Sequence, residues 1–315
     1  PTILIFWAGI LGFNSLLQFK TLNFILHVCR WTMLVNVLVI LFTYLTNSSL
    51  FVIDKEGSAI SGFLLNPNFA GFSANLLLAI ELYFLRENTS KLSYVIIPLI
   101  IASILIGFSR SAMLTSFIIL LVNTFISNDK ARTRLGRLRV VVYLAFFTIV
   151  VSIWFEGFLD NVFEKQSQKY LQVQELLNGE ITKETTGLRL YLAGIGWEKI
   201  KDSPLLGHGL HTFNRFEGFG SGVHNQYLLI WGESGIIPFI FYLAFHIYLM
   251  YKAINLPRNL RIMIWSFISA ILIFSFTNHS MFANKNYMII ICLSIVLIFL
   301  FKEADHSENY EFISD

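Results

Sequence analysis

Three side chains in this chain of 315 residues, Arg110, Arg189 and His224, could act on a charged or nucleophilic substrate. Arg110 lies between the apolar runs LIGF and SAMLTSFIILL. A cation in such a place either extends to lipid headgroups along its aliphatic stem or binds an anion such as phosphate. Arg189, in TTGLRLYLAGIGWEKIKD, is either a phosphate ligand or a solvated, ion-paired surface residue.

His224 begins the apolar run that follows a long hydrophilic segment. Because a histidine ordinarily titrates at about pH 6.5, His224 is the best general-base candidate on the predicted outer side. A histidine at the start of a helix can also serve only to cap or to hydrogen-bond. Both roles stay open on the sequence alone.

Asparagines mark the starts of two predicted helices. In Asn66-Pro67-Asn68, Asn66 can cap the helix and Pro67 suits its first position. Asn225 opens another helix in the same way. A helix N-terminus offers free N–H groups and the positive end of the helix dipole, which together bind anions. If these two starts converge with the one at Arg110, they form a site for a diphosphate, with Asn66, Asn68 and Asn225 among its ligands.

The remaining polar candidates predict neither a metal nor a cofactor. His208 and His211 are three residues apart, but no third ligand stands near them in the sequence. Asp54 and Glu56, in a predicted outer loop, could serve a metal or a base, but a solvated loop is the simpler interpretation. We therefore identify no DxD-like pair on that side of the kind that holds a metal with a sugar nucleotide. Glu81 and Glu233 lie within apolar runs and are functional candidates by default. For Glu233 we favour a structural role as a hydrogen-bonding partner.

The elements that position these residues are predicted to be membrane helices. Hydrophobic residues make up 55% of the chain and charged residues only 14%, with a mean hydropathy of +0.64. A soluble domain needs roughly a quarter charged residues to solvate its surface, so much of this surface must face lipid. The sequence contains no basic stripe of the kind that indicates nucleic-acid binding. Runs long enough to span a bilayer predict an all-α polytopic bundle of about nine spans, near residues 1–18, 30–47, 65–85, 93–109, 110–127, 139–156, 224–250, 261–278 and 285–302.

Charge fixes the predicted orientation of this bundle. When the spans alternate, four loops that carry Lys and Arg fall on one side, which the positive-inside rule places in the cytoplasm: 20–30, 86–91, 128–139 and 251–261. The long hydrophilic segment then lies outside, with helices predicted at 158–177 and 187–202. Pro1 also falls outside, from which we expect further helices upstream of it.

The predicted organisation therefore has four parts. Membrane helices occupy 1–156, an extracytoplasmic loop with two helices occupies 157–223, further membrane helices occupy 224–302, and a cytoplasmic tail occupies 303–315. A transporter is the main alternative from another class. Transporters favour inverted repeats with polar groups at the midplane, whereas the polar candidates here gather at one face.

Four segments in order resemble the blocks of the O-antigen ligase and polymerase superfamily, over about residues 60–250. They are GFLLNPNFAGFSANLLLAI, IGFSRSAMLTSFIILL, GLRLYLAGIGWEKIKDSPLLGHGLHTF and HNQYLLIWGESGIIPFI. The resemblance implies a C-type glycosyltransferase fold in a bacterial inner membrane, acting on its periplasmic side. It also implies a glycan donor carried by undecaprenyl diphosphate, held by Arg110 and Arg189, with His224 taking or orienting the acceptor proton in a metal-independent, inverting transfer.

One departure separates two branches of that superfamily. The ligase branch has His-Asn, nine residues, then Gly-x-x-Gly/Thr/Tyr, and here His224-Asn225 and Gly235 fit while Pro238 takes the final place. The departure favours a polymerase with a glycan acceptor, for which a chain-length regulator is an expected partner. The alternatives are a ligase that transfers the glycan to lipid A-core and an oligosaccharyltransferase that modifies protein.

Overall fold

The computed structural model describes residues 9–12, 22–46, 60–64, 66–107, 109–126, 186–216, 222–278 and 285–304. All regular secondary structure in these residues is helical, which confirms the predicted all-α class. The helices are α1 (Leu22–Thr46), α2 (Pro67–Arg86), α3 (Ser93–Ile106), α4 (Arg110–Ile126), α5 (Thr186–Asp202), α6 (Gln226–Ser234), α7 (Ile236–Lys252), α8 (Arg258–Ser275) and α9 (Lys285–Ala304), with short 3-10 turns at Gly62–Leu64 and Ala253–Asn255.

Four helices of the described residues are long and apolar enough to cross a membrane: Leu22–Thr46, Pro67–Arg86, Ile236–Asn255 and Arg258–Ser275. Three shorter apolar helices accompany them, at Ser93–Ile106, Ser111–Thr124 and Tyr287–Phe299. The predicted count of nine spans is therefore not confirmed. The predicted span 139–156 and most of the span 1–18 lie outside the described residues.

Two predicted boundaries are wrong. The sequence placed Arg30 at the end of a basic loop, but α1 begins at Leu22 and Arg30 lies inside it, 2% exposed. The sequence also predicted one helix over 224–250. The structure divides this run at Gly235, whose φ of 87° ends α6 before α7 begins. Such a φ is accessible to glycine because it has no Cβ.

The residues form two compact units, the first comprising Pro1–Ser127 and Ala244–Asp315 and the second comprising Asn128–Leu243. In the first unit α2 is the central helix, and it packs against α1, α3, α4 and α8. Its side chains are buried continuously from Ala70 to Phe84. Small residues in its first turns, among them Gly71 and Ala74, leave room for neighbouring helices to approach closely.

A buried ion pair joins α1 to α2. Nε and Nη2 of Arg30 donate to the two carboxylate oxygens of Glu81 at 2.6 and 2.5 Å. The guanidinium also donates to the hydroxyls of Ser90 and Ser93 at 3.0 Å and lies 4.7 Å from the ring centroid of Phe84. Glu81, a functional candidate on the sequence, thus balances a buried charge that would otherwise be costly in an apolar interior.

The start of α8 lies beside the C-terminal end of α2 in the first unit. Nδ2 of Asn259 donates to Oε1 of Glu87 at 2.7 Å, so the turn before α8 meets the turn after α2. Arg30, through its contact with Ser90, belongs to this end as well. Three of the loops that the charge pattern assigned to one side are therefore neighbours. The opposite end of α2, at Pro67, belongs to the candidate site.

The second unit contains α5, the turns that follow it, α6 and the beginning of α7. Its core consists of Leu192, Ile200, Phe213, Phe216 and Val223. Helix α5 confirms the helix predicted at 187–202. The helix predicted at 158–177 lies outside the described residues.

Candidate functional site

The start of α2 is built as its sequence predicts. Asn66 has an extended backbone, and its Oδ1 accepts from the amides of Asn68 at 2.8 Å and Phe69 at 3.4 Å. Pro67 occupies the first turn, where a missing N–H leaves no intrahelical bond unmade. The predicted cap is therefore present, and the Asn66 oxygen is engaged by its own helix.

The start of α4 meets the start of α2. Oγ of Ser109 donates to Oδ1 of Asn68 at 2.9 Å. Ser109 is buried, and its Oγ also lies 3.2 Å from Oγ of Ser111 and accepts from the amide of Ala112 at 3.4 Å. Two of the three predicted helix starts thus converge. The positive ends of two helix dipoles then reinforce one another at a single place.

Close backbone packing maintains this convergence. A Cβ added to Gly71 of α2 would collide with the Cβ of Ala112 in α4. One turn further along α2, Nδ2 of Asn75 donates both to the carbonyl of Gly71 and to the carbonyl of Ala112, each at 2.9 Å. Sequence reasoning missed Asn75, although an amide inside an apolar span was the available signal.

Arg110 is the first residue of α4. Its backbone therefore stands directly after Ser109, at the place where the two helix starts meet. Its side chain lies outside the described part of the structure. The same holds for Arg189, whose backbone lies in the first turn of α5.

The start of α6 in the second unit repeats the design of α2. Asn225 has an extended backbone, and its Oδ1 accepts from the amides of Tyr227 at 2.9 Å and Leu228 at 3.2 Å. Its capping role is as predicted. His224 immediately precedes this cap and is half-buried. The imidazole is thereby attached to a fixed helix start rather than to a free loop.

Residues 203–209, which we name the brace loop, hold the break between α6 and α7. The amides of His208 and Gly209 donate to the carbonyls of Gly232 and Glu233 at 2.8 and 2.9 Å. In the other direction, the amide of Ile236 donates to the carbonyl of Pro204 at 3.0 Å. The carbonyls at the end of α6 and the amide at the start of α7 therefore find partners in one loop, as helix ends require.

Glu233 lies buried at this break, where its Oε1 accepts from the amide of Phe213 at 3.2 Å. The structural role favoured for Glu233 is confirmed. Phe213 itself fills the core, and a Cβ on Gly232 would collide with its ring. No local feature of the sequence pointed to Phe213, because its importance arises from contacts with residues distant in the chain.

His208 and His211 have separate partners. Nε2 of His208 lies 2.6 Å from the carbonyl of Lys199, and Nδ1 of His211 lies 2.9 Å from Nδ2 of Asn214. Among the described residues, no group of three His, Cys, Asp or Glu side chains could hold a metal ion. These two histidines instead help to order the turns that follow α5.

A family model described as O-Antigen ligase matches residues 95–243. This match supports the assignment of the chain to the O-antigen ligase and polymerase superfamily. No curated protein matches the chain. The matched segment contains Arg110, Arg189, His224 and Asn225, while Asn66 and Asn68 precede it.

The family match and the long apolar helices together indicate the broad character of the protein. It is an integral membrane protein with an enzyme domain of the O-antigen ligase and polymerase type. The matching family implies a lipid-linked glycan as the class of substrate. Within this domain, α4 begins beside α2 at Arg110 and α6 begins at a capped asparagine beside His224.

Proposed function

We propose that this protein polymerises glycan repeat units carried on undecaprenyl diphosphate, at the extracytoplasmic face of a bacterial cytoplasmic membrane. The observation that carries the proposal is the convergence of the α2 and α4 starts through Ser109 and Asn68, with Arg110 as the first residue of α4. Two helix N-termini and a guanidinium are a suitable environment for a diphosphate.

The diphosphate is the leaving group of the proposed reaction. When the bond between the anomeric carbon and the diphosphate oxygen breaks, negative charge accumulates on that oxygen. Arg110 and Arg189 stabilise this charge, and Asn66, Asn68 and Asn225 order the helix starts around it. Preorganised charges of this kind are commonly the largest contribution to such catalysis.

His224 serves the acceptor. An acceptor hydroxyl attacks the anomeric carbon from the face opposite the diphosphate, so the configuration inverts as the new C–O bond forms. The imidazole takes or orients the proton that the hydroxyl loses. We propose no metal in this reaction, because the two guanidinium groups meet the charge of the diphosphate.

A ligase is the second candidate, favoured by the description of the matching family as O-Antigen ligase. In this reaction the same donor is transferred to a sugar of lipid A-core. The departure at Pro238 does little to exclude it, because Pro238 is the third residue of α7. The amide at that position has no acceptor within the helix, so proline is accommodated there.

The decisive experiment is turnover of a defined undecaprenyl-diphosphate oligosaccharide by the purified protein, with and without a chelator. A polymerase yields longer lipid-linked chains, and the yield survives chelation. Arg110→Ala, Arg189→Ala and His224→Ala should each abolish product while the protein stays in the membrane. Lys201→Ala, an exposed change on α5, is the matched control. Full activity of Arg189→Ala would contradict the role given to that residue.

A cellular comparison separates the polymerase from the ligase. A null mutant of a polymerase accumulates glycolipid with a single repeat unit. A null mutant of a ligase accumulates long lipid-linked chains that are not transferred. The second result would replace the proposed function by its alternative.

A further inference from the structure

Three leucines of the second unit are exposed in and directly after the brace loop. Leu205, Leu206 and Leu210 are 66, 83 and 75% exposed. Single exposed apolar residues are common on soluble surfaces, but three large ones within six residues form an exposed patch, which marks an interaction surface. We call these residues the leucine patch.

The patch is presented by a rigid frame. Ser203 and Gly207 exchange two hydrogen bonds, from the Gly207 amide at 3.0 Å and from the Ser203 hydroxyl at 2.9 Å. The next amide, of His208, is bonded to the end of α6. Gly207 adopts a φ of 71°, and a Cβ there would lie 2.6 Å from the carbonyl oxygen of Glu233. The leucines are therefore exposed by a fixed backbone that directs them outward.

The position of the patch indicates what it meets. The carbonyl of Leu205 packs directly against Gly235, and the neighbouring carbonyl of Pro204 accepts from the first amide of α7. Helix α7 forms most of the apolar span Ile236–Asn255. Most of this span is exposed on the protein and so available to lipid. The leucine patch thus lies level with the first turn of a helix that is long and apolar enough to cross a membrane.

Aromatic residues beside the patch fit the same boundary. Nε1 of Trp231 donates to the carbonyl of Pro204 at 3.0 Å. The ring of Trp197 meets that of Trp231 edge-on, with centroids 5.4 Å apart, and Trp197 is exposed. Tryptophan is enriched at the interface between headgroups and acyl chains.

We propose that Leu205, Leu206 and Leu210 insert into the lipid leaflet that α7 enters and anchor the α6–α7 break at the membrane surface. Each buried leucine side chain contributes favourable apolar burial in the acyl region. The anchor fixes the depth of the brace loop, and with it the start of α6. The inference does not depend on the reaction that the protein catalyses.

The test uses the full-length protein in lipid vesicles, with Cys29 and Cys292 replaced by serine. A single cysteine is introduced by Leu206→Cys and labelled with an environment-sensitive fluorophore. The emission should shift to the blue, and lipids brominated at the top of the acyl chain should quench it more than lipids brominated near the chain end. Leu210→Cys provides a second, independent position.

Two controls bracket the result. Lys201→Cys, on α5 of the same unit, should keep water-like emission without quenching. Ile247→Cys, an exposed position near the middle of the span Ile236–Asn255, should be quenched more strongly by the deep bromines. Water-like emission at both leucine positions would overturn the proposal. So would a blue shift without bromine quenching that grows with the ratio of protein to lipid, because it would assign the patch to a second protein molecule.

Discussion

Oγ of Ser109 donates a 2.9 Å hydrogen bond to Oδ1 of Asn68 and thereby joins the first turn of α4 to the first turn of α2. The two residues are far apart in the sequence, and each stands at the start of its own helix. The bond places the backbone of Arg110 beside a second helix N-terminus. Two helix N-termini therefore meet in the protein fold itself, which supports the proposed anion site.

The first prediction concerns Arg110, whose backbone follows Ser109 at this contact. Arg110→Lys retains the charge but loses the planar fork that binds two phosphate oxygens together. We expect the kcat/KM for the lipid-linked donor to fall by roughly 10- to 100-fold, equivalent to one charged hydrogen bond of about 1.5–3 kcal/mol. Turnover measured over a range of donor concentrations checks this. Unchanged kcat/KM would show that Arg110 only reaches to lipid headgroups.

A second prediction separates capping from anion binding at Asn225. Asn225→Ser keeps a side-chain oxygen for the amides of Tyr227 and Leu228, so both melting temperature and turnover should stay close to those of the parent protein. Asn225→Asp also caps, but its negative charge opposes a diphosphate. We expect it to melt normally and to lose activity. Asn225→Ala should lose about 1 kcal/mol of stability.

The comparison of Asn225→Asp with Asn225→Ser tests whether an anion binds at the start of α6, because both variants cap the helix and only one adds a negative charge. Equal turnover of the two variants would show that no anion approaches the start of α6. Equal melting temperatures are needed for that conclusion, since they establish that both caps are intact.

Local features of the sequence predicted much of the first unit. The helices starting at Pro67, Ser93 and Arg110 begin close to their predicted positions, because apolar run length and capping residues act within one or two turns. The caps at Asn66 and Asn225 were recognised for the same reason. These features do not depend on residues that are distant in the sequence.

Features that depend on distant residues escaped prediction. Arg30 looked like a loop residue, since its partner Glu81 stands 51 positions away and removes the cost of burying its charge. The break at Gly235 was hidden inside an apolar run. It is stabilised by carbonyl and amide groups of the brace loop, and backbone partners leave no signature in side-chain chemistry.

The third prediction tests the buried ion pair. Arg30→Ala leaves the Glu81 carboxylate buried without its partner, and we expect the protein to lose roughly 3–5 kcal/mol of stability. Replacing both residues by methionine should recover most of that loss, because apolar side chains of similar volume fill the site without a charge. Melting followed by tryptophan fluorescence in detergent measures both effects.

The exposed pair between Lys201 and Glu198 supplies the control for this experiment. Its Nζ–Oε1 distance of 2.7 Å resembles the distances at Arg30, but both side chains are more than half exposed to solvent. Lys201→Ala should leave the melting temperature unchanged, as exposed pairs contribute little. A double methionine variant as unstable as Arg30→Ala would show that the charges themselves, rather than the filled volume, hold α1 to α2.

The last prediction compares two glycines on α5 that differ only in what surrounds them. A Cβ on Gly196 would lie 2.7 Å from Cγ1 of Val223 and 3.3 Å from the ring of Phe213, whereas a Cβ on Gly194 would meet nothing within 4 Å. Alanine favours a helix over glycine by about 1 kcal/mol, so Gly194→Ala should raise the melting temperature slightly or leave it unchanged. Gly196→Ala gains the same helical preference but must displace the core beneath α6. We expect it to lower both the melting temperature and turnover, since the start of α6 carries His224. If the two variants melted alike, α5 could not pack on Val223 and Phe213 as described, and the support of His224 by this core would be wrong.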